Sequence, residues 1–364
     1  MAAILWFFVL FYMSCAMGSP KEESGSSGSG CGCSLKRNPV QGSVHGKECS
    51  VGEDDGPNGS QRLDSAVSGV EEDMVVIKGR TFYMGTNKPQ IQGDGEGPRR
   101  EVKISRDFLL DRYQVTNRDY AEFVAATNYR TDSEIYGWSF VIDKAVPEKI
   151  RKGIDQAVLG AEWWLPVNGS YWKEPEGPGT DVFEPSRDRS NYPVVHISWT
   201  DAVEFCNWRN NSRLPTEAEW ELAARGASDG QVFPWGNTLV KNKEYRANIF
   251  QGSFPKENTK LDGYEFLAPV DAYGPQNDNG LYNIIGNAWE WVSDWWTIDH
   301  PTEIQTNPTG PAFGQEKVKK GGSFLCHKSF CYRYRCAARY KTSIDSATQN
   351  SGLRCAKDLE EKNR

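Results

Sequence analysis

Frequent backbone breakers and a heavy load of aromatic side chains constrain this chain more than any single motif. It carries 35 Gly and 19 Pro beside 13 Trp, 15 Tyr and 16 Phe in 364 residues. Gly and Pro interrupt helices and central strands, so regular elements must be short. Aromatic rings bury large apolar areas, so the core can still be substantial. The expected fold is one compact α+β domain with little regular secondary structure, held by buried Trp and by disulfides. Lys and Arg number 42 against 49 Asp and Glu, a net charge of −7. That balance argues against a nucleic-acid binder.

Residues 4–13 (ILWFFVLFYM) are apolar but too few for the roughly 20 residues of a membrane helix. Small residues follow at Ser14, Ala16, Gly18 and Ser19, so residues 1–18 read as a signal peptide leading to an oxidising compartment, with no membrane span expected. Residues 19–69 read as a flexible Gly/Ser-rich arm. Between 19 and 60 it has no aromatic residue and one large aliphatic, Leu35, too little to offset ordering entropy. Cys31, Cys33 and Cys49 lie in this arm. They either pair with each other or offer a mixed-disulfide handle to thiol oxidoreductases of the endoplasmic reticulum. Sequons at Asn58, Asn168 and Asn210 are candidate glycosylation sites.

From residue 70 to 364 apolar residues recur without a second low-complexity break, which predicts a single domain. Capping-box patterns at Thr116 to Asp119, Ser198 to Asp201 and Thr216 to Glu219 predict three short helices, the last stopped by Gly226. Met74 to Ile77, Phe82 to Met84 and Val102 to Ile104 read as strands between turns.

The chemical signal lies between Gly321 and Arg339, where Cys326, Cys331 and Cys336 recur every five residues. Zinc sites use closer cysteine pairs with further ligands, and the chain has four His, at positions 45, 196, 300 and 327. Two thiolates alone suit a soft, low-coordination ion, for which Cu(I) is the natural candidate. The spacing equally allows a structural Cys326–Cys331 disulfide. Lys317, Lys319, Lys320, Lys328, Arg333, Arg335, Arg339 and Lys341 surround the cysteines, with Glu316 the one acid. Such surroundings would stabilise thiolate and depress the Cys331 pKa.

The stretches RLPTEAEWELAARG (213–226), FPWGN (233–237), GLYNIIGNAWEWVSDWW (280–296), KKGGSF (319–324), CHKSFCYRYRCAAR (326–339) and GLRCA (352–356) resemble the formylglycine-generating, sulfatase-modifying enzymes. The resemblance runs from about Met74 to Cys355. It implies a fold related to C-type lectins and residence in the endoplasmic reticulum lumen, with partial secretion. The implied reaction is oxidation by O2 of the cysteine in a C-x-P-x-R motif of nascent sulfatases to Cα-formylglycine. Cys326 and Cys331 are the implied copper ligands, with Cys331 engaging the substrate thiol; Ser323, Trp289 and His327 are the implied pocket residues. Two calcium sites are implied: Asn248, Ile249, Asp262 and Tyr264 at one, and Asn283, Gly286, Ala288 and Glu290 at the other. Oxygen-only ligand sets of this kind suit Ca2+. A Cys206–Cys355 disulfide is implied as well.

The chain departs from that pattern in two places. The usual partner position of Cys336 is Ala224, and Phe330 stands where an aromatic hydroxyl is common. A non-catalytic, lectin-like paralogue that binds sulfatases or the active enzyme is the second reading, but the paralogue branch lacks the cysteine pair kept here. An iron-dependent sulfur oxidase would need a three-His cluster that the spacing does not supply. Gly93 to Gly97 lacks the strand and helix context of a dinucleotide-binding loop. The end of the chain carries no KDEL-type signal, so retention would depend on a partner.

Overall fold

A computed structural model describes residues 73–359, apart from 210, 241 and 242. The leader, the arm with Cys31, Cys33 and Cys49, and the sequons at Asn58 and Asn210 lie outside the described residues. Each helix expected from a capping box is present. The helices Asn117–Thr127, Trp199–Trp208 and Glu217–Arg225 all have the reciprocal side-chain to backbone bonds of the box. Gly226, at φ 57°, ends the third. A fourth box, Thr131 with Glu134, opens the five-residue helix Asp132–Tyr136. Its helix is too short to show an apolar period in sequence.

Strands are equally short and are distributed over several small sheets. Met74–Ile77, Phe108–Asp111 and Ala356–Asp358 form one antiparallel sheet. Thr81–Met84 pairs with Arg100–Lys103, which also takes Gln305–Thr306 in parallel. The central sheet has the order Tyr340–Thr342, Lys317–Lys320, Trp289–Trp295, Ser351–Gly352. Between these elements the backbone is largely turns and loops. The fold is the expected single α+β domain. Among the described residues no helix is long and apolar enough to cross a membrane.

The centre of the molecule combines large rings with a buried ion pair. Trp220, Trp289 and Trp291 are wholly enclosed. Arg354 and Glu290 lie among them, each with almost no solvent exposure. Arg354 Nε and Nη2 donate to the two Glu290 carboxylate oxygens, both at 2.7 Å. Its remaining donors reach the carbonyls of Asp111 at 2.8 Å and Tyr282 at 2.8 Å. Trp220 Nε1 and Gln114 Nε2 complete the carboxylate shell at 2.6 and 3.1 Å. One pair thus joins the central sheet, the Glu217–Arg225 helix and the segment after Phe108–Asp111.

Cys206 is bridged to Cys355, tying the Trp199–Trp208 helix to the chain just before the last strand. The closed loop spans a sequence separation of 149 residues.

Removing one partner of a buried pair leaves an uncompensated charge. Arg354→Leu is expected to destabilise the domain by about 3–5 kcal/mol, measured by urea unfolding. A change below 1 kcal/mol would show that the pair is peripheral to stability.

Candidate functional site

The Lys317–Lys320 strand leads directly into the cysteine segment. It ends at Gly321 and Gly322, with φ of 88° and 74°. A Cβ at Gly321 would lie 2.8 Å from the Ile284 carbonyl oxygen, and one at Gly322 would lie 3.0 Å from the Tyr334 backbone. Glycine meets both the angle and the close approach. Ser323 follows, fully buried, and its hydroxyl accepts from Asn350 Nδ2 at 2.9 Å. The Asn350 carbonyl accepts from the Trp289 amide at 2.8 Å. Asn350 therefore links Ser323 to Trp289. Sequence reasoning missed it, because a polar residue ahead of GLRCA carries no motif of its own.

The five-residue cysteine spacing closes a compact loop. The amides of Phe330 and Cys331 donate to the His327 carbonyl at 3.0 and 2.7 Å. The Cα atoms of Cys326 and Cys331 come within 4.7 Å, and their sulfurs are in contact. Both residues are fully buried. The Phe250 amide holds the Cys326 carbonyl at 3.2 Å. Among the described residues no three His, Cys, Asp or Glu side chains gather as a metal set. A metal at this loop would be held by the two sulfurs.

His327 is half-buried, with Nδ1 2.7 Å from Ser329 Oγ, and burial pushes its pKa down. Beside it lies an aromatic ledge. Phe330 stacks on Phe254 with centroids 4.6 Å apart and meets Trp163 edge-on at 4.8 Å. Position 330 thus contributes a ring to a wholly apolar stack, where a hydroxyl would be out of place.

The charge environment differs from the sequence expectation and corrects it. The cations near the cysteines are matched by acids from distant segments. Arg333 pairs with Asp94, Arg335 with Glu96 and Arg339 with Glu217. Lys320 lies 3.2 Å from Glu221 and 3.3 Å from Glu217, and Lys341 pairs with Glu316. Lys317 and Lys319 donate to oxygens of Ser293 and Ser351. Lys328 remains exposed. Linear sequence shows the cations clustered but not their partners, so the large positive field read there is not present. A low Cys331 pKa therefore has no support from net charge.

Cys336 is free and fully buried, with Sγ 4.0 Å from the Ala224 carbonyl. Burial pushes its pKa up to about 12, which keeps the thiol protonated and inert at neutral pH.

The calcium candidates gather in two places. Asn248 Oδ1 is buried without a hydrogen-bond partner. Nearby, Asp262 accepts from the amides of Ile249 and Tyr264 at 3.0 and 3.2 Å, and burial raises its pKa. An orphaned oxygen beside a desolvated carboxylate fits a hard cation. At the second place Asn283 Oδ1 is likewise buried and unpartnered. There, however, all the acceptor positions of Glu290 are taken by Arg354, Trp220 and Gln114, and Gln114 Nε2 also bonds the Ala288 carbonyl at 2.9 Å. Ligation by Glu290 requires one of those donors to turn away. Of the sequons, Asn168 is exposed at the end of the Trp164–Asn168 strand.

A fold of short elements around buried Trp, with a cysteine pair on a glycine-led loop, defines a class that comparison with known proteins identifies. Residues 61–359 match the model of the sulfatase-modifying factor enzyme 1-like domain, and the chain belongs to that family. It is 44% identical over 357 residues to the formylglycine-generating enzyme of Mus musculus, covering 96% of this chain and 93% of that protein. It is 42% identical over 291 residues to the inactive Cα-formylglycine-generating enzyme 2 of Bos taurus, covering 79% and 89%. Among solved structures, PvdO from Pseudomonas aeruginosa superposes with a TM-score of 0.58 at 23% identity, over 79% of this chain and 94% of that one. That last likeness concerns the fold alone.

Proposed function

We propose that this chain activates newly made sulfatases by oxidising, with O2, the cysteine of their C-x-P-x-R motif to Cα-formylglycine. The observation that carries the reading is the contact between Cys326 and Cys331 on a buried loop, in a chain closely related to formylglycine-generating enzymes. The inactive relative is a real alternative at 42% identity, and the retained cysteine pair favours the catalytic reading over it. The endoplasmic reticulum lumen is the proposed location.

Cys326 and Cys331 would hold Cu(I), and the bound ion would supply the one-electron chemistry with O2 that amino-acid side chains lack. The protein's own groups have separable tasks. Burial keeps bulk water from the two sulfurs, and the loop bonds to the His327 carbonyl fix their approach. Ser323, oriented by Asn350, places a hydroxyl beside the reacting segment. The Trp163, Phe254 and Phe330 ledge offers an apolar surface to the substrate proline. Asp143 lies next to that ledge, its amide bonded to the Trp163 carbonyl at 2.8 Å. Its carboxylate now holds the half-exposed Arg151, which a substrate arginine could replace. Balance requires two electrons beyond those the substrate carbon gives up, so a thiol reductant is a further reactant.

Incubating the copper-loaded protein with a C-x-P-x-R peptide, O2 and a thiol reductant, then weighing the peptide, tests this reading. The expected product has lost its thiol and gained an aldehyde. Cys331→Ser should abolish conversion and Cys336→Ser should preserve it, while Asp143→Asn should raise KM with kcat little changed. Unchanged peptide with the wild-type protein contradicts the proposal.

Calcium is proposed at Asn248, Ile249, Asp262 and Tyr264, and with weaker support at Asn283, Gly286, Ala288 and Glu290. The first set is coupled to the cysteine loop, because Phe250, two residues from Asn248, bonds the Cys326 carbonyl. Added Ca2+ should raise Tm by several degrees, and Asp262→Asn should remove most of that rise. A Tm indifferent to Ca2+ and to chelator would exclude the site.

A further inference from the structure

Away from the cysteine loop, a cavity of about 480 Å³ is bounded by Arg100, Glu217, Asp294, Trp295, His300 and Arg339. None of Cys326, Cys331, Ser323, Trp289 or His327 lines it. The first residue of the Glu217–Arg225 helix reaches it, the Glu217 amide donating to Asp294 Oδ2 at 2.8 Å. Most of the surrounding charges are already matched. Arg339 is bidentate to Glu217 at 2.8 and 2.6 Å and donates to the Thr297 carbonyl. His300 Nε2 lies 2.8 Å from the Gly95 carbonyl.

Arg100 is the exception. Its guanidinium is half-buried and lies 3.4 Å from Met84 Sδ, and it forms no ion pair with a carboxylate among the described residues. Burial pushes its pKa down, with the more distant Glu217 and Glu221 only partly offsetting the effect. A partly desolvated cation without a contacting anion is costly unless something completes it. Across the cavity, burial first and then the charge of Glu217 push the Asp294 carboxyl up to about 7. Near neutral pH it is partly protonated and can donate a hydrogen bond. Met84, Val102 and Pro301 add apolar wall, and the volume lies within the range of small-molecule sites.

We infer that this cavity binds a small organic carboxylate with an apolar body, its carboxylate seated on Arg100 and its body against Met84, Val102 and Trp295. A single negative charge is favoured over a dianion, because Glu217 and the rim residue Asp299 would repel a second one. The bidentate fit of guanidinium to carboxylate supplies the orientation, and the apolar wall supplies the preference over a bare anion.

Titration of the full chain with benzoate tests the inference, with inorganic phosphate as a second arm. Binding should be saturable, should perturb the Trp295 indole signal in the NMR spectrum of the wild-type protein, and should exceed phosphate binding. Arg100→Gln should weaken it at least tenfold, with Arg100→Lys intermediate, and circular dichroism should show both variants folded. Affinity should fall as pH rises from 6 to 7.5, as Asp294 ionises, and Asp294→Asn should remove the fall. Around Asp294 the other charged or titratable groups are Glu217, Arg339, Lys317, Asp299 and His300. Burial holds His300 at about 4 and Lys317 at about 8, so neither accounts for a change in that window. Absence of saturable binding, an unperturbed Trp295, equal affinity for phosphate, or undiminished binding by Arg100→Gln would each overturn the inference.

Discussion

The Arg354–Glu290 pair is the interaction on which the remainder of this structure depends. Short strands and helices cannot define a large domain by their own ladders, because each contributes few backbone bonds. Here a fully buried guanidinium donates to a carboxylate from the central sheet and to carbonyls of two other segments. A second layer, in which Lys320 meets both Glu217 and Glu221 while Arg339 and Arg225 complete those carboxylates, attaches the helix to the sheet. Buried charges are costly to bring together and more costly to separate. The lattice therefore favours one arrangement of loops over alternatives with comparable hydrophobic burial.

The cysteine loop inherits its position from that lattice. Lys320 is held by Glu217 and Glu221, and the next two residues are the left-handed glycines that turn the chain into Ser323 and Cys326. On the far side of the cysteines, Arg333, Arg335 and Arg339 are fixed by Asp94, Glu96 and Glu217. The sulfurs are thus carried on a short loop whose two ends are anchored by buried ion pairs. The basic residues around the cysteines serve to position the loop, and their charge is largely neutralised.

Local features were legible in sequence and long-range ones were not. Thr116, Ser198 and Thr216 announce their helices because a capping box is encoded within four residues, and Met74 to Ile77 coincides with its strand. The cysteine pair was also legible, since its partners lie five residues apart. The role of the basic cluster was misread because Arg333 and Arg335 find their acids 239 residues away. Asn350 was missed for the same reason: its importance arises from two hydrogen bonds across the fold. The departures at Ala224 and Phe330 were visible in sequence, but only packing shows that they leave a protonated, enclosed Cys336 thiol and an apolar ring stack.

The central claim is that Cys326 and Cys331 form a two-sulfur Cu(I) site. Its most direct test is X-ray absorption on the protein loaded with Cu(I) in the presence of a competing chelator. The account predicts one copper per chain in a two-coordinate, all-sulfur environment, lost in both Cys326→Ser and Cys331→Ser and kept in Cys336→Ser. Copper bound through nitrogen or oxygen, or retained when either cysteine of the pair is replaced, would contradict it.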